Sequence, residues 1–135
     1  MRGARDRAVI GALAQCEVLA LNSNQIGDKG MEAFSKALAS GAMANLEKLF
    51  LFGNQIGDAG LEALAKACAR GAMAQLTLLD LENNQIGDAG VEAFASALAS
   101  GAMASLETLY VDDGQLGNEH PALKAACEVR AIDLA

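Results

Sequence analysis

The side chains able to do covalent chemistry are few. His120 is the single histidine, and the three cysteines are Cys16, Cys68 and Cys127. A nucleophilic mechanism needs a Ser or Cys held against a base. No Ser or Cys occupies a matching slot beside His120, which precedes Pro121 at a place suited to a helix cap or the surface. The cysteine spacing fits no metal-ligand pattern. Cys16 and Cys68 fall at apolar positions of a recurring pattern and Cys127 on the apolar side of a C-terminal helix, so all three are read as buried small hydrophobes. Glycine pairs such as Gly57 and Gly60 could cradle a phosphate, but the Lys and Ser/Thr of such a loop are missing. Asp80, Glu82, Asp112 and Asp113 carry oxygens that could ligate a calcium-like cation. Positions on a flat sheet do not wrap an ion, so no metal site is expected there. The chemistry expected is therefore non-enzymatic, without metal or cofactor.

Charge narrows the partner. The net charge is −7, and residues 77–123 hold eight acids and no base, whereas residues 1–76 are net +1. An acidic block argues against nucleic acid or anionic membrane and for a basic partner. Apolar residues make up 53%, enough for a core. No run approaches the roughly 18 apolar residues of a membrane span. The short apolar stretch 8–14 has no convincing cleavage site behind it. An odd number of cysteines and no leader suggest an intracellular, reducing compartment.

The elements that would position these residues follow from a repeat. The segment NQIGD begins at Asn24, Asn54 and Asn84, a period of 30 residues. SGAMA begins at Ser40 and Ser100, with RGAMA from Arg70 between them. Three full units result, 17–46, 47–76 and 77–106, followed by a degenerate unit and C-terminal cap, 107–135. Residues 1–16 are read as an N-terminal helical cap or a truncated repeat, all within one domain.

Within a unit the pattern is L-x-x-L-x-L-x-x-N-x-I, as in Leu46, Leu49, Leu51, Asn54 and Ile56. Alternation around Leu49 and Leu51 predicts a short strand. Met31, Phe34 and Leu38, then Leu61, Leu64 and Cys68, then Val91, Phe94 and Leu98 predict a helix in each unit. Asp28, Asp58 and Asp88 are expected to cap these helices, and Gly41, Gly71 and Gly101 to end them. Asn24, Asn54 and Asn84 are expected to form a structural ladder that satisfies backbone groups of the turns. Pro121–Arg130 predicts a last helix with Ala122, Leu123, Ala126 and Cys127 inward, and Ile132 and Leu134 a last short strand.

In those motifs the chain resembles the leucine-rich repeats, and with its 30-residue period and GDxG segment it is similar to the ribonuclease-inhibitor-like class. Similar repeats occur in intracellular immune receptors and Ran GTPase-activating proteins. The resemblance covers essentially the whole chain. It implies an α/β right-handed solenoid, with parallel strands on the concave face and helices on the convex face. No arginine or asparagine constellation of a GTPase activator is matched.

The positions that break the repetition are the informative ones. Outward strand positions read Ala20, Phe50, Asp80, Tyr110 in one column and Asn22, Phe52, Glu82, Asp112 in the next. Val18, Lys48, Leu78 and Thr108 flank them on one side, and Ser23, Gly53, Asn83 and Asp113 on the other. Of the four Phe and one Tyr, Phe34 and Phe94 share a helical core slot; the rest fall on outward strand positions. An aromatic and acidic concave patch of Lys48, Phe50, Phe52, Asp80, Glu82, Tyr110, Asp112 and Asp113 is thus expected to bind a protein, one with a basic surface. The competing expectation is a structural subunit of a larger stable assembly, contacting neighbours through its helical face and ends.

Overall fold

A computed structural model describes residues 15–111 and 120–134. Strand and helix alternate: β1 (Val18–Ala20), α1 (Asp28–Ala39), β2 (Lys48–Phe50), α2 (Asp58–Ala69), β3 (Leu78–Asp80), α3 (Asp88–Ala99), β4 (Thr108–Tyr110), α4 (Pro121–Val129) and β5 (Asp133–Leu134). The five strands form one parallel sheet in chain order. Helices connect the parallel strands, as parallel pairing requires. Residues 1–14 of the expected N-terminal cap or truncated repeat, and 112–119 of the degenerate unit, lie outside the described residues.

The sheet turns every second side chain inward. Leu19, Leu49, Leu79, Leu109 and Leu134 share one register column. Leu51, Leu81 and Val111 continue inward and are buried. Helix residues meet them from the other side: Met31, Leu61 and Val91, then Leu38, Cys68 and Leu98, all buried. Ile56, Ile86, Met73 and Met103 close the ends of this core. Phe94 is buried, but Phe34 is half-buried, and so is Cys16. Both lie at the N-terminal end of the described stack.

Each repeat helix stops by the same mechanism. Gly41, Gly71 and Gly101 have φ of 87°, 101° and 100°, a left-handed backbone that side chains disfavour. The Gly41 N–H donates to the Leu38 carbonyl at 3.0 Å and the Ala42 N–H to the Ala37 carbonyl at 3.3 Å. The same pair recurs at Gly71 and Ala72, and at Gly101 and Ala102, satisfying carbonyls that a helix end leaves open.

The helix starts differ from expectation. Asp28, Asp58 and Asp88 are first helical residues, the N-caps are Gly27, Gly57 and Gly87, and no side chain of a helix's own repeat caps it. The Asp28 carboxylate instead reaches the next unit, where Oδ1 accepts from Gly57 N–H at 2.7 Å and Gly60 N–H at 2.8 Å. Asp58 does the same for Gly87 and Gly90, at 2.7 and 3.0 Å. Stacking brings neighbouring helix starts side by side, so one repeat's carboxylate meets the positive end of the next helix. The glycines make this approach possible. A Cβ on Gly60 would stand 2.7 Å from Asp28 Oδ1. Gly60→Ala should therefore destabilise by about 1–3 kcal/mol through overpacking, against the usual helical gain of about 0.5–1 kcal/mol for this exchange. Urea denaturation measures the sign directly.

The C-terminal unit ends on α4. Leu123, Ala126 and Cys127 are buried. Ala122, expected inward, is exposed, because it lies about 100° round the helix from Leu123. Arg130 follows α4 and reaches back one repeat. Its Nη1 donates to the Leu98 carbonyl at 3.0 Å and also to Ala102, and its Nη2 donates to Met103. One guanidinium thus closes the carbonyl end of α3, where a cation also suits the helix dipole.

Candidate functional site

The site is built on the sheet face opposite the helices. Register places Ala20, Phe50, Asp80 and Tyr110 in one column, and Val18, Lys48, Leu78, Thr108 and Asp133 in another. A third column is set by ladder bonds just beyond the strands. Ser23 N–H donates to the Phe52 carbonyl at 3.0 Å and Gly53 N–H to the Glu82 carbonyl at 3.0 Å. Phe52 therefore stands beside Glu82, one column over from Phe50 and Asp80.

Burial grades across this face. Phe50, Phe52, Leu78, Glu82 and Tyr110 are half-buried, and Lys48 is exposed. Val18 is 55% exposed. Asp80 differs from the solvated acid that its outward position suggests: it is only 8% exposed. Phe50 and Tyr110 flank it on the two neighbouring strands. Its Oδ1 accepts the Glu82 N–H at 3.1 Å, which fixes the carboxylate over the backbone. Asp112 and Asp113 lie outside the described residues.

The flanking column has a backbone explanation. Ser23, Gly53 and Asn83 have φ of 58°, 72° and 53°. Small or amide residues tolerate that left-handed turn best. Variation here follows the turn rather than a ligand.

Beneath the face runs the Asn ladder. Asn54 Oδ1 accepts from Asn24 N–H at 2.9 Å and Ile26 N–H at 3.0 Å, while Nδ2 donates to the carbonyls of Leu21 at 3.0 Å and Leu51 at 2.9 Å. Asn84 repeats this one unit on, accepting from Ile56 and donating to Leu51 and Leu81. Each amide ties its own turn to the preceding one. Asn24 is exposed and donates within its own turn, to the Asn22 carbonyl.

The residues first considered for covalent chemistry are placed elsewhere. Burial pushes the Cys68 thiol up to about 12. Burial also raises Cys127, with the Arg130 charge acting the other way. Raised thiols stay protonated and make poor nucleophiles. His120 is the N-cap of α4, its Nδ1 lying 3.5 Å from the Leu123 N–H. Among the described residues no group of three His, Cys, Asp or Glu is gathered to hold a metal ion.

The helical face carries shallow grooves lined by small residues together with charged ones such as Glu62 and Lys66. Ala65, Ala69, Ala93 and Ala97 line the one between α2 and α3. Ser35, Ala39, Ala63 and Ala67 line the one between α1 and α2. Ser35 is buried, and its hydroxyl has no hydrogen-bond partner among the described residues. No described helix is long and apolar enough to cross a membrane.

Sequence reasoning missed the Asp28 and Asp58 carboxylates as caps for the next repeat, and the Arg130 clamp. The signal for the first was present: each GDxG sets an Asp 29 and 32 residues ahead of the next unit's two glycines. Arg130 had no comparable signal.

Comparison with known proteins agrees with this geometry. The family described as Leucine Rich repeat matches residues 17–35, 42–65 and 73–95. A search of curated proteins gave no match. Among solved structures, one titled "Leiomodin-1 Actin-Binding Site 2 (ABS2)" has a similar fold, with a TM-score of 0.69 at 18% identity, covering 91% of this chain and 68% of that one. Three matched repeats, five parallel strands in chain order and a ladder of asparagines joining them have one reading: the chain is a leucine-rich-repeat protein.

Proposed function

We propose that this chain is a non-enzymatic protein-interaction module that holds a basic partner on its concave sheet face. The observation that carries the reading is the placement of Phe50, Phe52 and Tyr110. They are half-buried on one face beside Asp80 and Glu82, away from the core that takes Phe94. Aromatic anchors of this kind dominate protein interfaces. The acidic block of residues 77–123 supplies the charge for a basic partner. The leiomodin-1 domain of similar fold is titled an actin-binding site, which favours protein binding on such a scaffold. The 30-residue period favours the ribonuclease-inhibitor-like class. The free cysteines favour a reducing compartment.

The small-residue grooves between helices favour a second reading, a structural subunit whose neighbours lie against the helical face. One experiment separates the two. Phe50→Asp with Tyr110→Asp should leave the fold intact and abolish binding to a partner captured by wild type and then purified. Affinity for that partner should also fall with added salt. Unchanged binding by the double variant would move the interface to the helices or the ends.

A further inference from the structure

We infer that the Phe50–Asp80–Tyr110 column is an arginine-binding slot: a partner's guanidinium enters between the two rings and pairs with the Asp80 carboxylate. This rests on the concave-face reading and names the chemistry the face selects. The register sets Phe50 and Tyr110 on either side of Asp80, one strand away in each direction. Two strand spacings of about 4.8 Å separate the ring-bearing Cα atoms by roughly 9.6 Å. A flat group stacked between two rings needs about 3.5–4.0 Å to each, or roughly 7–8 Å from ring to ring. On a concave sheet, side-chain ends lie closer together than their backbones, so the gap suits one planar group.

The charge in the slot is fixed. Asp80 sits low in the column at 8% exposure, with Oδ1 held by the Glu82 N–H. A carboxylate oriented before binding loses little freedom when a ligand arrives. Flanking rings exclude water and attract a cation over their faces. Glu82 and Phe52 repeat the acid–aromatic pairing one column away. An ammonium is compact and strongly hydrated, whereas a guanidinium is planar and weakly hydrated, and it stacks and pairs at once. The slot should therefore prefer arginine to lysine. Lys48 lies on the same sheet face, one column over on β2. It opposes a cation and should weaken binding.

The test uses the full chain and three labelled peptides of alternating glycine with arginine, lysine or citrulline, the last a neutral planar analogue of arginine. Fluorescence anisotropy at moderate salt should show the arginine peptide binding about tenfold tighter than either of the others. Asp80→Asn keeps the Oδ1 acceptor for Glu82 N–H, so the fold is retained, and should cost about tenfold for the arginine peptide. Glu92→Gln removes the same charge from the exposed side of α3 and should cost less than twofold. Phe50→Ala should erase the preference for arginine over lysine, and Lys48→Glu should raise affinity severalfold. Equal binding of arginine and lysine peptides, equal losses for Asp80→Asn and Glu92→Gln, or no binding of any peptide would each overturn the slot. A purified partner that still needs Phe50 and Tyr110 would then leave the concave-face reading standing; a partner indifferent to both would remove that reading as well.

Discussion

Leu79→Ala should lower stability by about 2–5 kcal/mol, the range for a buried leucine truncated in a packed core. Leu79 is fully buried at the centre of the sheet, paired with Leu49 on one side and Leu109 on the other. Each repeat is held only by its neighbours, so a cavity at a central strand weakens two interfaces at once. Leu134→Ala, on half-buried edge strand β5 with one partner strand, should cost less. Urea denaturation followed by circular dichroism gives both values. A loss below about 0.5 kcal/mol for Leu79→Ala would place that side chain outside the core.

Asn54→Ala should be comparably severe, about 3–5 kcal/mol, although it removes no large apolar surface. The side chain is 6% exposed and serves two backbone N–H groups and the carbonyls of Leu21 and Leu51. Each buried group left without a partner costs about 1–3 kcal/mol, softened where water can reach it. Asn24 occupies the same slot one repeat earlier but is exposed, and among the described residues its side chain serves the Asn22 carbonyl alone. Asn24→Ala should therefore cost less than about 1 kcal/mol. The same asparagine in the same motif is expected to differ severalfold in worth. Equal losses at the two positions would mean that the amide stabilises its own turn rather than the joint to the preceding one.

These contrasts indicate what the sequence could and could not carry. Strand positions, helix faces and the glycine stops were legible because each is a local pattern repeated in register. Leu49, Leu79 and Leu109 could be aligned before any geometry was known, and so could Phe50, Asp80 and Tyr110. Interactions that cross a repeat boundary were not legible from one unit. Asp28 looks like the cap of its own helix because capping is ordinarily local; only the stacked array brings it to Gly57 and Gly60. Asp80 looked like a solvated acid because alternation gives direction but not depth. The column of Ser23, Gly53 and Asn83 looked like a variable surface, since φ leaves a composition but no periodic mark. Ala122 was placed inward by the apolar character of alanine, which a helix accepts on any face.

The Asn54 and Asp28 contacts share a property with consequences for how such a chain can change length. Apart from the bond of Asn54 to the carbonyl of Leu51, each joins groups 28 to 33 residues apart, on opposite sides of a repeat boundary. A unit thus presents a set of donors and acceptors on one side and their matching partners on the other, like a tile with a tongue and a groove. Inserting a whole copy of 30 residues supplies both edges and leaves every joint closed. Inserting 29 or 31 sets the joints at that copy out of match, although the units beyond it keep their own spacing of 30. Growth by complete copies should be close to neutral, and growth by any other length should be rejected, which accounts for three successive units that share one length and nearly one sequence.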